Sequence, residues 1–269
     1  MKMNEEEWDA FASDYYMNQK ESDKTIVRDV IEYLKKEAAL PTEKIVDVAG
    51  GAGRYLAMSK EATTYELIDF SDEMLKFATE EAARLGRENI HLTKQTFSEF
   101  LENGKTYDFI FSASNPALDD SVKLSRMLTK MKKYCVILRV VSSKEDLFTS
   151  LEKKLGIFEE DAVTSPVIMD QLETYLKDEE WSYKRKEFTY TFKEEITEDF
   201  MRAYYQECLE ETIFKEYIQK YFDPKEKIFS TTMLTYRLLL IKKELPKMGM
   251  TSFVYSKNIE KNDLSLRTD

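Results

Sequence analysis

The sequence predicts an α/β chain built on a doubly wound, mostly parallel sheet, and three observations carry that expectation. Five short apolar runs between residues 44 and 141 alternate with segments whose apolar residues recur at helical spacing, as parallel strands covered on both faces require. The first run passes directly into five small residues, Ala49, Gly50, Gly51, Ala52 and Gly53. Only seven glycines occur in 269 residues, and three of them are spent in this one turn.

Two helices are expected first, over residues 5–18 and 25–37, the second with Ile26, Val30, Ile31 and Leu34 on one face. "KIVDV" (44–48) then reads as a buried strand, "RYLAMSKEA" (54–62) as a helix and "TYELIDF" (64–70) as the second strand. A helix over 71–86 ends at Gly86, "NIHLTK" (89–94) is the third strand, and a short helix covers 97–104. "YDFIFSAS" (107–114) is the fourth strand, 118–133 a helix and "YCVILRVV" (134–141) the fifth strand. Crossovers between parallel strands are right-handed, which winds the helices onto both faces. Beyond Ser142 the rhythm loosens: 143–156 and 165–181 are helical, 182–193 alternates like a strand, 197–222 forms one or two helices rich in Tyr and Phe, and 233–243 is a last strand. We therefore expect one domain over 1–245, with a helical cap over 1–40, a cofactor-binding core over 44–142, a helical insertion over 195–223 and a polar tail over 246–269.

Composition narrows the partners. Acidic residues outnumber basic ones 51 to 40, the net charge is −11, and no basic block exceeds pairs such as Lys35–Lys36, so a phosphate-tracking nucleic-acid binder is disfavoured. Cys135 and Cys208 stand alone, outside any metal-ligand spacing, which fits a reducing cytosol and no metal site. The start lacks an apolar signal core, and the greasiest stretch, "MLTYRLLLI", is interrupted by Arg237; the expected location is the cytoplasm, with no membrane contact. His91, the single histidine, lies inside the third strand and is expected to be structural.

The small-residue turn decides the chemistry. A ligand lying across the carboxyl edge of the first strand must approach the backbone closely, which residues with little or no side chain permit. A dinucleotide fingerprint would need a small residue where Leu56 stands, and a phosphate-binding P-loop would need a Lys-Ser/Thr pair that is missing. Asp47 closes the first strand, and Asp69 closes the second, 18 residues beyond Gly51, where an acid accepts hydrogen bonds from ribose hydroxyls.

On "VDVAGGAGRYL", on "LIDFSDEML" with its acid and Ser-x-x-Met-Leu helix start, and on "YDFIFSAS", the sequence resembles the class I S-adenosylmethionine-dependent methyltransferases, closely over about residues 5–145. The resemblance implies a Rossmann-like, seven-stranded sheet closed by "EFTYTF" and "YRLLLIKK", with the late helices inserted between them. It implies S-adenosyl-L-methionine as cofactor, with Asp47, Ala49, Gly51 and Gly53 along its methionine part, Asp69 on the ribose, Phe70 against adenine, Thr96 and Phe97 at the adenine edge, and Ser112 beside it. Ala49 replaces the usual first glycine, a change tolerable if its φ is negative, and Thr96 stands where many members carry Asp.

The acceptor of the methyl group is expected near "SASNPALDD", after the fourth strand. Asn115-Pro116 resembles part of the Asn-Pro-Pro-Tyr signature of amino-group methyltransferases, with Ala117 and Leu118 replacing its last two residues; it is equally an ordinary turn starter. Asn115, Asp119 and Tyr16 are the candidate catalytic residues, with Asp120, Tyr15 and Arg139 beside them; Asp119 and Asp120 also suit the first turn of a helix. The tyrosines either fold over the cofactor or pack on the sheet. The expected activity is methyl transfer to N, O or S of a small molecule by in-line displacement, chiefly through proximity. A nicotinamide-dependent oxidoreductase, an aminopropyl transferase and a non-catalytic S-adenosylmethionine-binding protein remain the alternatives.

Overall fold

The computed structural model describes residues 4–21, 25–159, 164–222 and 227–244. Seven strands, β1 (Thr42–Val48), β2 (Ala62–Asp69), β3 (Ile90–Lys94), β4 (Tyr107–Ala113), β5 (Met131–Glu145), β6 (Ser182–Ile196) and β7 (Ile228–Lys242), form one sheet in the order β3-β2-β1-β4-β5-β7-β6. β1 to β5 run parallel, and β7 is antiparallel to both β5 and β6. Strand order reverses between β1 and β4, so a crevice opens there at the carboxyl ends of the strands.

Period-two alternation explains why the strands read as continuous apolar runs. Ile45, Tyr65, Leu67, Phe109 and Phe111 point to one face, under α2 (Thr25–Lys36) and α3 (Asp72–Leu85). Val46, Val48, Ile68 and Ile110 point to the other, under α4 (Phe97–Glu102), α5 (Ser121–Thr129) and α7 (Val167–Asp178). α3 begins where Ser71 Oγ accepts from the Met74 N–H at 3.1 Å and ends at Gly86, whose φ of 61° is left-handed.

Two additions flank this core. α1 (Glu5–Glu21) lies over the glycine turn and α3, and α6 (Leu147–Leu155), α8 (Glu198–Tyr204) and α9 (Thr212–Tyr221) form a satellite cluster around Leu151, Met201 and Phe214. The Tyr and Phe residues of the late segment are thus largely consumed in packing: Phe214 and Tyr217 are buried, and the Tyr217 hydroxyl donates to the Leu147 carbonyl at 2.8 Å.

Three expected boundaries move. The segment after the glycine turn is a 3-10 run, Leu56–Glu61, not an α-helix; Leu56 and Met58 already donate to carbonyls three residues back, and β2 begins at Ala62. β5 starts at Met131, pairing with Tyr107, which shortens the preceding helix to Ser121–Thr129. β5 also runs on to Glu145 because β7 extends to pair with it, so α6 starts only at Leu147. The expected polar tail, 246–269, lies outside the described residues. Among the described residues no helix is long and apolar enough to cross a membrane, and no three His, Cys, Asp or Glu side chains are grouped to hold a metal ion.

Candidate active site

The turn after β1 is held by backbone geometry that its small residues make accessible. Gly51 and Gly53 sit at φ of 54° and 81°, and a Cβ on Gly53 would stand 2.5 Å from Leu56 Cδ1. A Cβ on Gly50 would stand 2.5 Å from Leu67 Cγ and 2.9 Å from Asp47 Oδ2, so the turn presses directly on the two strand ends. Ala49 departs from expectation: its φ is +56°, not negative, so a residue with a Cβ occupies a left-handed position. The Gly51 N–H donates to Asp69 Oδ2 at 2.9 Å, binding the turn to β2.

Asp47 is tightly held beneath the turn. It is 1 % exposed, its Oδ2 accepts from the Tyr65 hydroxyl at 2.7 Å, and its Oδ1 is buried with no hydrogen-bond partner. Burial pushes its pKa up to about 7, the Tyr65 bond opposes that shift, and neighbouring Asp69 adds to it. The Tyr65 hydroxyl lies within 3.3 Å of the Tyr55 carbonyl as well, and the Tyr55 ring meets Phe111 edge-on at 4.9 Å. Asp69 is likewise buried and its pKa raised by burial, although the backbone N–H groups of Ser71 and Gly51 bind its two oxygens. Each carboxylate oxygen offers two lone pairs, so both retain acceptor capacity.

α1 closes the crevice. Asp9 Oδ1 accepts from Ser71 Oγ at 2.5 Å and from the Glu73 N–H at 3.3 Å, Lys94 bridges Glu5 and Asp72, and the Gln19 side chain reaches the Ala52 carbonyl. Trp8, Phe11 and Tyr15 form a ridge with ring centroids 6.0–6.4 Å apart. The half-buried Tyr15 ring stands 3.8 Å from a Cβ built on Gly51. Burial raises the Tyr15 pKa, with Arg54 opposing and Asp69, Asp47 and Tyr236 adding to the shift, so its hydroxyl stays protonated among the groups of the crevice. Tyr16 is turned elsewhere: its hydroxyl donates to Glu81 Oε1 at 2.8 Å and its ring stacks on Phe77 at 4.4 Å.

At the rim, Phe70 and Phe97 are half-buried, and Phe97 stacks on Phe100 at 6.2 Å. Thr96 is exposed and caps α4 in a reciprocal capping box with Glu99, so its hydroxyl and backbone N–H are already engaged. Across the crevice, Ser112 Oγ donates to the Val48 carbonyl at 3.3 Å. Asn115, 2 % exposed, donates to Ser112 Oγ at 3.2 Å and accepts from the Ala117 N–H at 2.9 Å, while its carbonyl receives Arg139 Nη1 at 2.9 Å. Arg139 also reaches the Leu118 carbonyl, and burial lowers its pKa. Asp119 pairs with Lys123, and Asp120 caps α5 through the Lys123 N–H at 2.7 Å.

The structure therefore gathers Asp47, Ala49, Gly51, Gly53, Asp69 and Ser112 at the carboxyl ends of the strands, commits Asn115, Asp120 and Thr96 to turns and caps, and ties Tyr16 to Glu81 of α3. Tyr65 and Asp9 escaped the sequence reading. Tyr65 was legible in principle, since a tyrosine in a fully buried strand needs a partner for its hydroxyl, and Asp47 is the acid on the same face. Asp9 carries no such signal, because its partners lie 62 and 64 residues away.

Comparison with known proteins agrees with this geometry. The chain is similar, at 12 % identity, TM-score 0.54 and coverage of 89 % of this chain and 98 % of the other, to magnesium protoporphyrin IX methyltransferase from Synechocystis PCC 6803 crystallised with S-adenosylhomocysteine. The same enzyme with S-adenosylmethionine matches at 11 % identity, TM-score 0.51 and coverage of 89 % and 95 %. These likenesses speak for the fold. A search of curated protein sequences finds no significant match. The model of the methyltransferase domain family matches residues 40–223, well over half of the chain, and spans β1, the glycine turn and both acids. The chain thus belongs to the methyltransferase domain family, and its sheet is the one class I members share.

Proposed function

We propose that this protein transfers a methyl group from S-adenosylmethionine to a small-molecule acceptor. The observation that carries the reading is Asp47 Oδ1, a buried carboxylate oxygen without a partner beside a turn where backbone can be approached closely. Leaving such a group unmatched costs free energy unless a ligand cation matches it, and an amino-acid ammonium has the right charge and size. Asp69 would take the ribose hydroxyls with its remaining lone pairs, and Phe70 and Phe97 would flank the adenine. S-adenosylmethionine supplies a methyl already activated on a sulfonium.

What the chain adds is orientation and dryness. α1 packs Trp8 and Tyr15 against the cluster of Ala52 and Met74 at the turn, which shields that side of the crevice from water. Alignment of the reacting atoms supplies up to about 7–11 kcal/mol of barrier reduction. A base is not provided by Asn115 or Tyr16, whose polar atoms are bound elsewhere, and the raised pKa of Tyr15 makes it a donor. Acceptors whose attacking lone pair is already free at neutral pH, such as a weakly basic, unprotonated nitrogen, suit such a site best; the proton that the methylated product carries is then lost to solvent after transfer. We further propose a single domain through residue 245, with residues 1–40 as cap and 195–223 as the acceptor-side lid, acting in the cytoplasm.

Binding tests the reading first. S-adenosylhomocysteine at a hundred times its dissociation constant should stabilise by about 2.7 kcal/mol, a melting shift of roughly 5–11 °C. Absence of that shift, with intact secondary structure, would refute the donor assignment. Reduced nicotinamide in its place would revive the oxidoreductase alternative. Transfer of labelled methyl to a metabolite mixture then separates an enzyme from a binding protein.

A further inference from the structure

The two edges of the sheet differ. β3, at one edge, is five residues long, short as edge strands commonly are. β6, at the other, is fifteen residues long and, among the described residues, pairs on one side only, with β7. Such an edge leaves a row of backbone N–H and C=O groups on its outer side, a template for a further strand. Lys186, Glu187, Thr189, Thr191, Lys193 and Glu194 along it are exposed, so the edge is open to solvent.

The sequence of β6 is a mirror about Tyr190. Phe188-Thr189-Tyr190-Thr191-Phe192 reads the same in both directions. The charges outside it are opposite in sign at equal distances from the centre: Glu187 and Lys193, Lys186 and Glu194, Arg185 and Glu195. In an antiparallel pair, residues directly opposite share a face of the sheet. A two-fold axis through Tyr190, normal to the sheet, therefore sets Phe188 against Phe192, Thr189 against Thr191, and every charge from 185 to 195 against its opposite on the second strand. Slipping the register by two residues spoils the match. One direction sets Arg185 against Lys193 and the other sets Glu187 against Glu195, both repulsive. Charges on an edge strand often guard it from pairing, but a guard against a second copy works through like charges, and none meet in this register.

Part of this charge is used within the chain. Arg185 pairs with Glu173 and Glu187, Glu187 also with Arg237, and Glu195 with Lys227. Lys186, Lys193 and Glu194 make no ion pair among the described residues. Lys186 opposite Glu194 is thus the match in which neither partner gives up an existing ion pair, and the two-fold axis forms it twice.

We propose that a second copy of this chain docks on β6, strand to strand and antiparallel about Tyr190, joining two seven-stranded sheets into one. The inference goes beyond methyl transfer and does not rest on the donor assignment. A strand edge with mostly polar side chains buries less than a permanent interface, so the dimer dissociates on dilution and weakens with added salt.

Sedimentation equilibrium of the full chain at low salt, over about 1–200 µM, tests it. The chain should pass from monomer to dimer across that range. Lys186→Glu and Glu194→Lys each set like charges opposite one another twice, and each should raise the dimer dissociation constant by about tenfold or more. Mixing these two variants should restore association, because a strand with Glu at both positions then faces one with Lys at both. The variant carrying both exchanges should associate like the parent. A chain that stays monomeric throughout, a dimer that neither single variant weakens, or single variants that do not associate when mixed would overturn the proposal. Both side chains are exposed, so the variants should fold, as circular dichroism checks; the double exchange, with its pairs restored, decides the matter where a single one does not.

Discussion

The two sides of the crevice treat their buried polar atoms in opposite ways. On the β1 and β2 side, Asp47 keeps one oxygen unpartnered at 1 % exposure and Asp69 keeps lone pairs beyond its two backbone bonds. On the β4 and β5 side, Asn115 is as deeply buried, yet both ends of its amide and its backbone carbonyl are bound, by Ser112 of β4, the Ala117 N–H and Arg139 of β5. A buried polar group held open points to a ligand, whereas one fully satisfied points to a fold. Under the function proposed above, donor recognition belongs to the strand ends, and acceptor recognition falls to other surfaces, among them the α1 ridge and the late helices.

Replacing Asp47 and Asn115 in parallel should break that comparison if it is wrong, and the effects are expected to be the largest here. Asp47→Asn should cost about 2–3 kcal/mol of S-adenosylhomocysteine affinity, the worth of a charged hydrogen bond, with no loss of folding stability at pH 8, where the native carboxylate is buried and ionised. Asn115→Ala should do the reverse: about 2 kcal/mol of stability lost as Ser112 and the Ala117 N–H lose their partner, with affinity changed less than threefold. Calorimetric titration and denaturant unfolding of both variants read the two axes. An Asn115 variant that stays stable but no longer binds would place a ligand contact where we see only structure.

The pH dependence of donor binding sharpens the donor half. Asp47 is neutral in the free protein below about 7, and a bound ammonium favours its ionised form. Affinity should accordingly rise with pH up to about 7 and level off above it, by as much as tenfold per unit, with a proton released on binding below that point. For folding the sign is opposite. Between the ordinary value of 3.8 and about 7 the native state holds a proton that the unfolded chain has lost, so stability contributed by this group falls as pH rises through that window and is flat beyond it. Tyr65→Phe removes the bond that lowers the Asp47 pKa, and should move the affinity midpoint upward; Asp47→Asn should erase both dependences.

How much of this was legible in the sequence follows from the range of each interaction. The parallel strands were readable because both of their faces are buried; β6 and β7 were each readable as strands, but their closing of a seven-stranded sheet came from the family resemblance. The positions of Asp47 and Asp69 at adjoining strand ends beside the glycine turn were readable because all three lie within one short span of chain. What failed were features set by distant partners: the length of β5, fixed by pairing with β7, the Asp9 cap on Ser71, and the commitment of Tyr16 to Glu81 rather than to the crevice. Asn115 looked functional by its neighbour Pro116, and only its bond to Ser112 Oγ and those it accepts from the Ala117 N–H and Arg139 show it closing a turn.

The smallest expected effect concerns Ala49, where the donor half departs from its own logic. A Cβ at φ +56° crowds the following carbonyl, a cost of about 1–2 kcal/mol that glycine does not bear. Glycine also gains freedom in the unfolded chain, which returns roughly 0.5–1 kcal/mol of that advantage. Ala49→Gly should thus stabilise the free protein by about 1 kcal/mol or less, a shift of a few degrees at most in a melting scan. If the alanine strains the turn equally in the free and donor-bound protein, donor affinity stays unchanged. If instead Ala49 holds the turn in the shape that leaves Asp47 Oδ1 open, the glycine variant will be more stable and bind more weakly, and the strain at Ala49 will belong to the donor site rather than to the fold.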